Sequence, residues 1–168
     1  SSYESALSQY PEAKKVFHLA VGGAEFMKGT VRWVAKFDEA ALRNESISDF
    51  AAQLLRQVSK FRGASKKLAT RKFAEKPYVY PEDRHFNGKK IFVPQIFSEG
   101  REYVTCGLLA EDTLVLAPHF QAPSHHMYLF ALIASRIHLI WITTVCGKLE
   151  KRIRYSNTIG WNTFPTPK

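Results

Sequence analysis

Apolar side chains recur with helical spacing between positions 47 and 61. They fall at Ile47, Phe50, Ala51, Leu54, Leu55, Val58 and Phe61. This i, i+3, i+4, i+7 series is typical of an amphipathic helix with one face turned to the core. Ser46 or Ser48 is expected to cap its first turn, and Gly63 to end it. The spacing also predicts that Phe61 lies in the core.

A second, shorter helix is predicted directly after the first. Ser65 is a suitable N-cap for a helix over residues 66–73, whose first turn is basic. Backbone N–H groups at such a helix start favour anions, because the positive end of the helix dipole lies there. The segment therefore has features that suit phosphate.

Short apolar runs between turn signals predict strands on both sides of these helices. The runs cover residues 16–21, 30–37, 78–80, 90–97, 102–109 and 113–117. Short linkers between the last four favour a meander of mainly antiparallel strands. The polar sequence Ser98-Glu99-Gly100-Arg101 is predicted to form the tip of a hairpin.

The apolar run over residues 124–145 predicts one long helix that begins at Pro123-Ser124 and ends at Cys146-Gly147. It is apolar on nearly all sides, which is typical of a helix buried in the middle of a fold. Arg136 and His138 near its centre argue against a membrane span, and His138 is expected in the core. Together the patterns predict an α+β fold: a mainly antiparallel sheet, an amphipathic helix and a long buried C-terminal helix.

Positive charge is concentrated in two segments. The 168 residues carry a net charge of +9. Residues 56–76 account for +7 and residues 148–154 for +3, so the rest of the chain has a charge of −1. Two basic segments on a nearly neutral body are typical of a protein that binds a polyanion. Solvated helix faces are the alternative explanation.

The sequence contains only weak signals for catalytic residues. The six histidines show no metal-ligand spacing, and Glu82-Asp83 before Lys89-Lys90 is only a faint likeness to a nuclease site. No Gly-rich phosphate loop is present, nor the Asp/Asn-Pro-Pro-aromatic loop of amino-methyltransferases. Cys106 and Cys146 show no disulfide framework, which favours a reducing cytoplasm. The sequence therefore predicts a chain that is not itself an enzyme and binds no metal.

Five ordered blocks resemble one known family. The first block contains Gly22-Gly23-Ala24-Glu25-Phe26 within residues 13–33, and the second is VSKFRGASKKLATR at residues 58–71. The others are residues 92–108, residues 134–147 (ASRIHLIWITTVCG) and residues 154–167 (RYSNTIGWNTFPTP). In this order they resemble the target recognition region of MmeI-like proteins, which combine DNA adenine methyltransferase and restriction activities.

The resemblance implies a fragment of a larger restriction-modification protein. Residues 1–123 would form the DNA target recognition domain, and residues 124–168 the start of a C-terminal helical region packed on it. The catalytic domain, with its S-adenosylmethionine site, would precede this segment, so the chain itself is expected to hold no cofactor. The family's Ser-Ser-Glu-Arg-Arg stands here as Phe97-Ser98-Glu99-Gly100-Arg101, and its Tyr-Asn-Asn-Phe-Pro as Gly160-Trp161-Asn162-Thr163-Phe164-Pro165. These departures affect local contacts.

The resemblance also implies which residues contact DNA. They are Arg62, Ser65, Lys66, Lys67, Thr70, Arg71, Ser98, Glu99, Arg101, Tyr103, Arg154, Tyr155 and Asn157. Lys and Ser/Thr side chains suit phosphates, whereas Glu99 and Arg101 suit base edges. An ion pair between Glu99 and Arg101 within the turn is the alternative.

The expected function is recognition of a short duplex DNA sequence for an adenine-N6 methyltransferase domain in cis, in the cytoplasm and away from membranes. Three other classes stay open. An RNA or single-strand binder needs exposed aromatic side chains among the basic ones. An independent enzyme needs a pocket with perturbed titratable groups. A partner-binding domain is favoured if the basic segments face apart.

Overall fold

The computed structural model describes residues 2–43, 45–124 and 126–166. The helices are α1 (Ser2–Gln9), α2 (Gly23–Lys28), α3 (Glu39–Leu42), α4 (Glu45–Gly63), α5 (Leu68–Arg71), α6 (Met127–Ala134) and α7 (Arg136–Val145). The strands are β1 (Phe17–Val21), β2 (Arg32–Ala35), β3 (Lys90–Val93), β4 (Ile96–Phe97), β5 (Gly107–Leu109), β6 (Leu114–Val115), β7 (Phe120–Pro123), β8 (Lys148–Leu149) and β9 (Arg152–Arg154). A 3-10 helix (Pro11–Val16) and a π-helical turn (Asn157–Trp161) complete the elements. The predicted α+β class is confirmed.

The chain forms two compact units, each built from two segments. The first unit comprises Ser1–His18 and Trp33–Arg84, and the second comprises Leu19–Arg32 and His85–Lys168. The chain passes from one unit to the other within β1 and returns within β2.

Helix α4 organises the core of the first unit. Phe50 and Ala51 on its inner face are buried, as the periodicity predicts. The Phe50 ring lies 5.5 Å from that of Tyr10 and 5.6 Å from that of Phe17, measured between centroids. Such clustered rings bury much apolar area and stabilise the unit. The caps predicted at Ser46 or Ser48 fall on side chains outside the described part of the chain.

The segment after α4 is less regular than the sequence predicts. Helix α5 has four residues where the pattern favours residues 66–73, and the Ser65 hydroxyl accepts a hydrogen bond from the Lys67 N–H. The strand predicted over residues 78–80 is wrong, because these residues form no strand. Pro77 and Pro81 flank them and lack the N–H groups that a sheet requires.

Two antiparallel sheets form most of the second unit. In the order β5-β3-β7, Ile91 is paired with Leu108 on one side and Ala122 on the other. The predicted strand over residues 90–97 is interrupted at Pro94, and β4 joins a different sheet of order β4-β9-β8. Residues 98–101 therefore form a turn after β4 and not the hairpin tip that was predicted. A parallel pair is also present, in which Ala20 of β1 faces Leu114 of β6.

The predicted long buried helix is wrong in two respects. It is two helices, α6 and α7, bent by 54° at Ser135. Ser135 has extended backbone angles, and its hydroxyl accepts from the His138 N–H, which caps α7. Several apolar side chains also face solvent, since Ile137 is 71% and Ile140 60% exposed. No single helix in the described residues is long and apolar enough to cross a membrane; only this bent pair, taken together, reaches that length and composition.

The inner face of α7 completes the core of the second unit. His138 is fully buried, as predicted, and its Nδ1 lies 2.9 Å from the Ile133 carbonyl oxygen. The rings of Tyr155 and Phe164 surround it at centroid distances of 5.7 and 4.7 Å. The C-terminal segment is thus fixed against α7 by aromatic packing.

Candidate nucleic-acid interface

The first unit carries an exposed cationic surface, which we call the basic surface. It consists of Arg56, Lys60, Lys66, Lys67, Arg71, Lys72 and Lys76. Most of these residues lie on the last turns of α4 and in the segment around α5. Exposed ammonium and guanidinium groups at this density attract polyanions without selecting a sequence.

Arg62 and Arg71 bind backbone carbonyl oxygens in the segment that carries this surface. The Arg62 guanidinium donates to the carbonyl oxygens of Phe73 and Lys76 at 3.1 and 3.3 Å, which ties α4 to the segment after α5. Arg71 donates to the carbonyl oxygens of Ser65 and Lys66 at 3.0 and 3.2 Å. Both side chains were predicted to contact DNA, and the structure uses both to hold the backbone that presents the lysines.

Ser65 and Thr70 occupy the same segment. Both are half-buried, whereas Lys66 and Lys67 beside them are exposed. Helix α5 is only one turn long, so the helix-dipole contribution expected from the sequence is small. Any attraction for phosphate here therefore comes mainly from the lysine side chains.

The second unit carries the other predicted contacts. We call residues 98–103 the recognition loop. Strand β4 leads into it and is paired with β9, so Ile96 lies opposite Arg154. Ser98, Glu99, Arg101 and Tyr103 are exposed. The pairing therefore places Arg154 beside the strand that leads into the loop, although the two are about 50 positions apart in sequence.

An ion pair between Glu99 and Lys148 links the recognition loop to β8, with the carboxylate 3.2 Å from Nζ. The alternative expected from the sequence, a pair between Glu99 and Arg101, is not the contact that the structure records. Lys148 was missed as a site residue, although it belongs to the second basic segment. Only the strand pairing reveals that it is next to the loop.

Tyr155 is corrected from an interface residue to a core residue. Its side chain is 4% exposed and packs edge-on against Phe120 at 5.5 Å. Burial raises the pKa of its phenol. Its backbone N–H donates to the Gln95 carbonyl oxygen at 2.7 Å, which fixes the end of β9. Arg154 and Asn157, on either side, are exposed.

A groove of about 410 Å³ lies between the recognition loop and α7. Glu99, Arg101 and Glu102 line one side, and Arg136 and Thr143 the other. Arg136 was not predicted as a site residue, because the apolar run that contains it was expected to be buried. The groove places a second guanidinium near Glu99 and Arg101.

The Gly22-Gly23-Ala24-Glu25 motif is structural. Glu25 is buried and accepts from the Gly22 N–H at 3.1 Å, while Arg32 pairs with its other oxygen at 2.5 Å. Its own backbone N–H contributes most to lowering its pKa, with Arg32 adding to this, although burial opposes the shift. A Cβ on Gly22 would lie 2.8 Å from the Glu25 carboxylate, so a side chain here would displace that carboxylate.

The residues with a faint likeness to a nuclease site have other partners. Asp83 pairs with Lys36 at 2.7 Å and Glu82 with Arg84 at 3.1 Å. Lys90 is fully buried and donates to three carbonyl oxygens, those of Phe86, Glu111 and Thr113. In residues 2–43, 45–124 and 126–166, no three His, Cys, Asp or Glu side chains lie together as metal ligands.

An α+β scaffold that presents a basic surface and a charged recognition loop defines a candidate polyanion-binding module. The chain belongs to the family described as "MmeI, target recognition domain", which matches residues 1–168. The family resemblance predicted from the sequence is thereby confirmed.

Two relatives document this membership. DNA methyltransferase A of Bacillus subtilis (strain 168) is 28% identical over 168 residues, which is 100% of this chain and 19% of that protein. The Type IIL restriction-modification enzyme MmeI, solved in complex with DNA, is 27% identical with a TM-score of 0.86. That match covers 99% of this chain and 22% of MmeI. The chain thus spans about a fifth of the length of each relative.

Proposed function

We propose that this chain recognises a short sequence in duplex DNA on behalf of an S-adenosylmethionine-dependent adenine-N6 methyltransferase domain in cis. The observation that carries the proposal is the cluster formed by the recognition loop, Lys148 and Arg154, which presents Glu99 and Arg101 at the surface. The relative MmeI was solved with DNA bound, which supports the same assignment here.

The two surfaces have different tasks in this proposal. Lys66 and Lys67 on the basic surface contact phosphates, which position the chain without reading sequence. Glu99 accepts from cytosine N4, and Arg101 donates to guanine O6 and N7, in the major groove. In this proposal Ser98, Tyr103, Arg154 and Asn157 contact the DNA backbone.

The chain itself performs no chemical step in this proposal. A methyltransferase domain of the same protein binds S-adenosylmethionine, flips the target adenine and transfers the methyl group. An endonuclease activity of the larger protein is compatible with the proposal. Residues 1–123 form the main part of the recognition domain, and residues 124–168, which begin the helical region that follows, contribute Lys148, Arg154 and Asn157 to the site. The duplex DNA of the cytoplasm is the target.

A selection on random duplexes tests the proposal. The chain is incubated at moderate salt with duplexes that carry a randomised core, and the retained DNA is sequenced. Enrichment of one short motif is expected, together with a slope of log K against log salt near −5 for about six phosphate contacts. Retention without any motif would contradict sequence recognition by this chain.

Single-strand binding is the second candidate, because Phe61 is 78% exposed within the basic surface. An exposed aromatic ring among lysines is what a base-stacking platform requires. Competition with unlabelled single strands separates the two functions: a duplex reader keeps its labelled duplex, whereas a single-strand binder releases it.

A further inference from the structure

Phe61 is the most exposed large apolar side chain in the described part of the chain, at 78%. Its helical spacing predicts a core residue, so its exposure requires an explanation. Val58, one turn earlier, is half-buried, as the helical spacing of the apolar residues predicts. The apolar face of α4 therefore reaches solvent in its last turn.

Arg62 explains why Phe61 faces outward. The inner position of the last turn is occupied by the Arg62 side chain, whose guanidinium is held by two carbonyl oxygens of the following segment. Those contacts cover the end of α4 with polar backbone, so no apolar layer is left for Phe61. A second apolar side chain, Leu68, is 60% exposed at the start of α5.

The surroundings of Phe61 are cationic. Lys60 precedes it, and the chain turns directly after α4, with Ala64 N–H donating to the Lys60 carbonyl oxygen and Ser65 N–H to that of Arg62. This turn leads at once to Lys66 and Lys67. Residues 56–76 hold eight basic residues and one acidic residue. A partner that covers Phe61 must therefore offer negative charge and an apolar surface together.

Duplex DNA offers both, because its phosphates flank thymine methyl groups and base steps that an apolar side chain can enter. We infer that Phe61 is a DNA-contacting residue that packs its ring against bases while the neighbouring lysines bind phosphates. This inference rests on the proposed function. Apolar side chains make such contacts with thymine methyl groups or as wedges between base steps. Phe61 thus supplies an uncharged part of the affinity.

The test compares substitutions at Phe61 with a charge substitution on the same surface. Affinity for the selected duplex is measured by fluorescence anisotropy over a range of salt concentrations. Phe61→Ala is expected to weaken binding about tenfold with an unchanged salt slope, because it removes an apolar contact and no charge. Lys67→Ala should reduce the slope by about 0.9. Phe61→Tyr, which keeps the ring, should bind like the parent chain.

Val31→Ala is the matched control, since Val31 is an apolar side chain that is 62% exposed in the other unit. Neither Val31→Ala nor Phe61→Ala should lower the melting temperature. If Phe61→Ala binds DNA as Val31→Ala does, while Lys67→Ala shows the reduced slope, the inference fails and the proposed function stands. If the parent chain binds no DNA, both fail.

Photocrosslinking gives a second readout with the unaltered chain. Duplexes that carry 5-iodouracil in place of single thymines are irradiated in the complex, and the crosslinked peptides are identified by mass spectrometry. A crosslink to Phe61 at one or a few positions is expected. Crosslinks confined to other peptides would overturn the inference, as would a lower melting temperature of Phe61→Ala, which would show that the ring packs within the chain.

Discussion

The Glu99 carboxylate lies 3.2 Å from Lys148 Nζ, across 49 positions of sequence. The pair joins the recognition loop to β8, whose partner β9 also carries Arg154. Because the cation comes from outside the loop, the orientation of Glu99 depends on the β4-β9-β8 sheet. The sheet therefore has a direct part in placing the group that we propose as a base reader.

Lys148→Ala tests this dependence. Both side chains are about half exposed, so the pair contributes at most about 1 kcal/mol to stability, and the melting temperature should hardly change. The motif selected from random duplexes should become degenerate at the position that Glu99 reads, because the carboxylate is no longer held. Lys151→Ala, in the turn that follows β8, is the control and should keep the motif. An unchanged motif in Lys148→Ala would show that Glu99 is oriented by other contacts.

Glu99→Ala and Lys67→Ala should weaken DNA binding in different ways. Loss of a base contact is expected to cost about 1–3 kcal/mol on the preferred duplex and little on a scrambled one. Loss of a phosphate contact weakens both duplexes alike. The measurement is the affinity of each variant for the two duplexes at one salt concentration. Equal losses on both duplexes in both variants would refute the proposed division of tasks.

Arg62→Ala is predicted to act on stability first. The substitution removes hydrogen bonds to the Phe73 and Lys76 carbonyl oxygens, which should lower the free energy of unfolding by about 1–3 kcal/mol. Urea unfolding measures this, with Lys66→Ala as an exposed control that should leave stability unchanged. A variant of full stability with weakened DNA binding would instead make Arg62 a phosphate contact, as the family resemblance implies.

The helix that follows from regular spacing of apolar residues was predicted correctly. Helix α4 follows from its periodicity, and α7 ends at Val145 as expected. The interruptions at Pro94 and Ser135 are small local signals within long apolar runs, and they decide which strands pair and which apolar faces stay exposed. Phe61 shows the same limit: its spacing fits a core, but the layer that would cover it depends on where Arg62 finds acceptors.

The candidate site was predictable only in part. Charge density identified the lysines of the basic surface, and the family resemblance identified the recognition loop. Lys148 and Arg136 required the fold, because strand pairing and the groove beside α7 bring them to the loop. Tyr155 directly follows β9 and is buried next to the exposed Arg154, so its burial follows from which face of this segment meets α7.

Stability should fall as the pH drops from 7 to 5, because the half-buried His119 and the buried His138 favour the neutral form. Burial lowers the pKa of His119 and of His138 below the ordinary value of 6.5. As the pH falls, the two histidines therefore take up protons at a higher pH in the unfolded chain than in the folded chain. The stability present above pH 6.5 is lost progressively as the pH falls toward the folded pKa values. The Gly23 N–H donates to His119 Nε2 at 2.7 Å, a contact that a proton on this nitrogen abolishes. Urea unfolding at pH 7.5 and 5.0 measures the loss, and His119→Gln should reduce it. A free energy of unfolding that is constant over this range would show that neither histidine is held neutral.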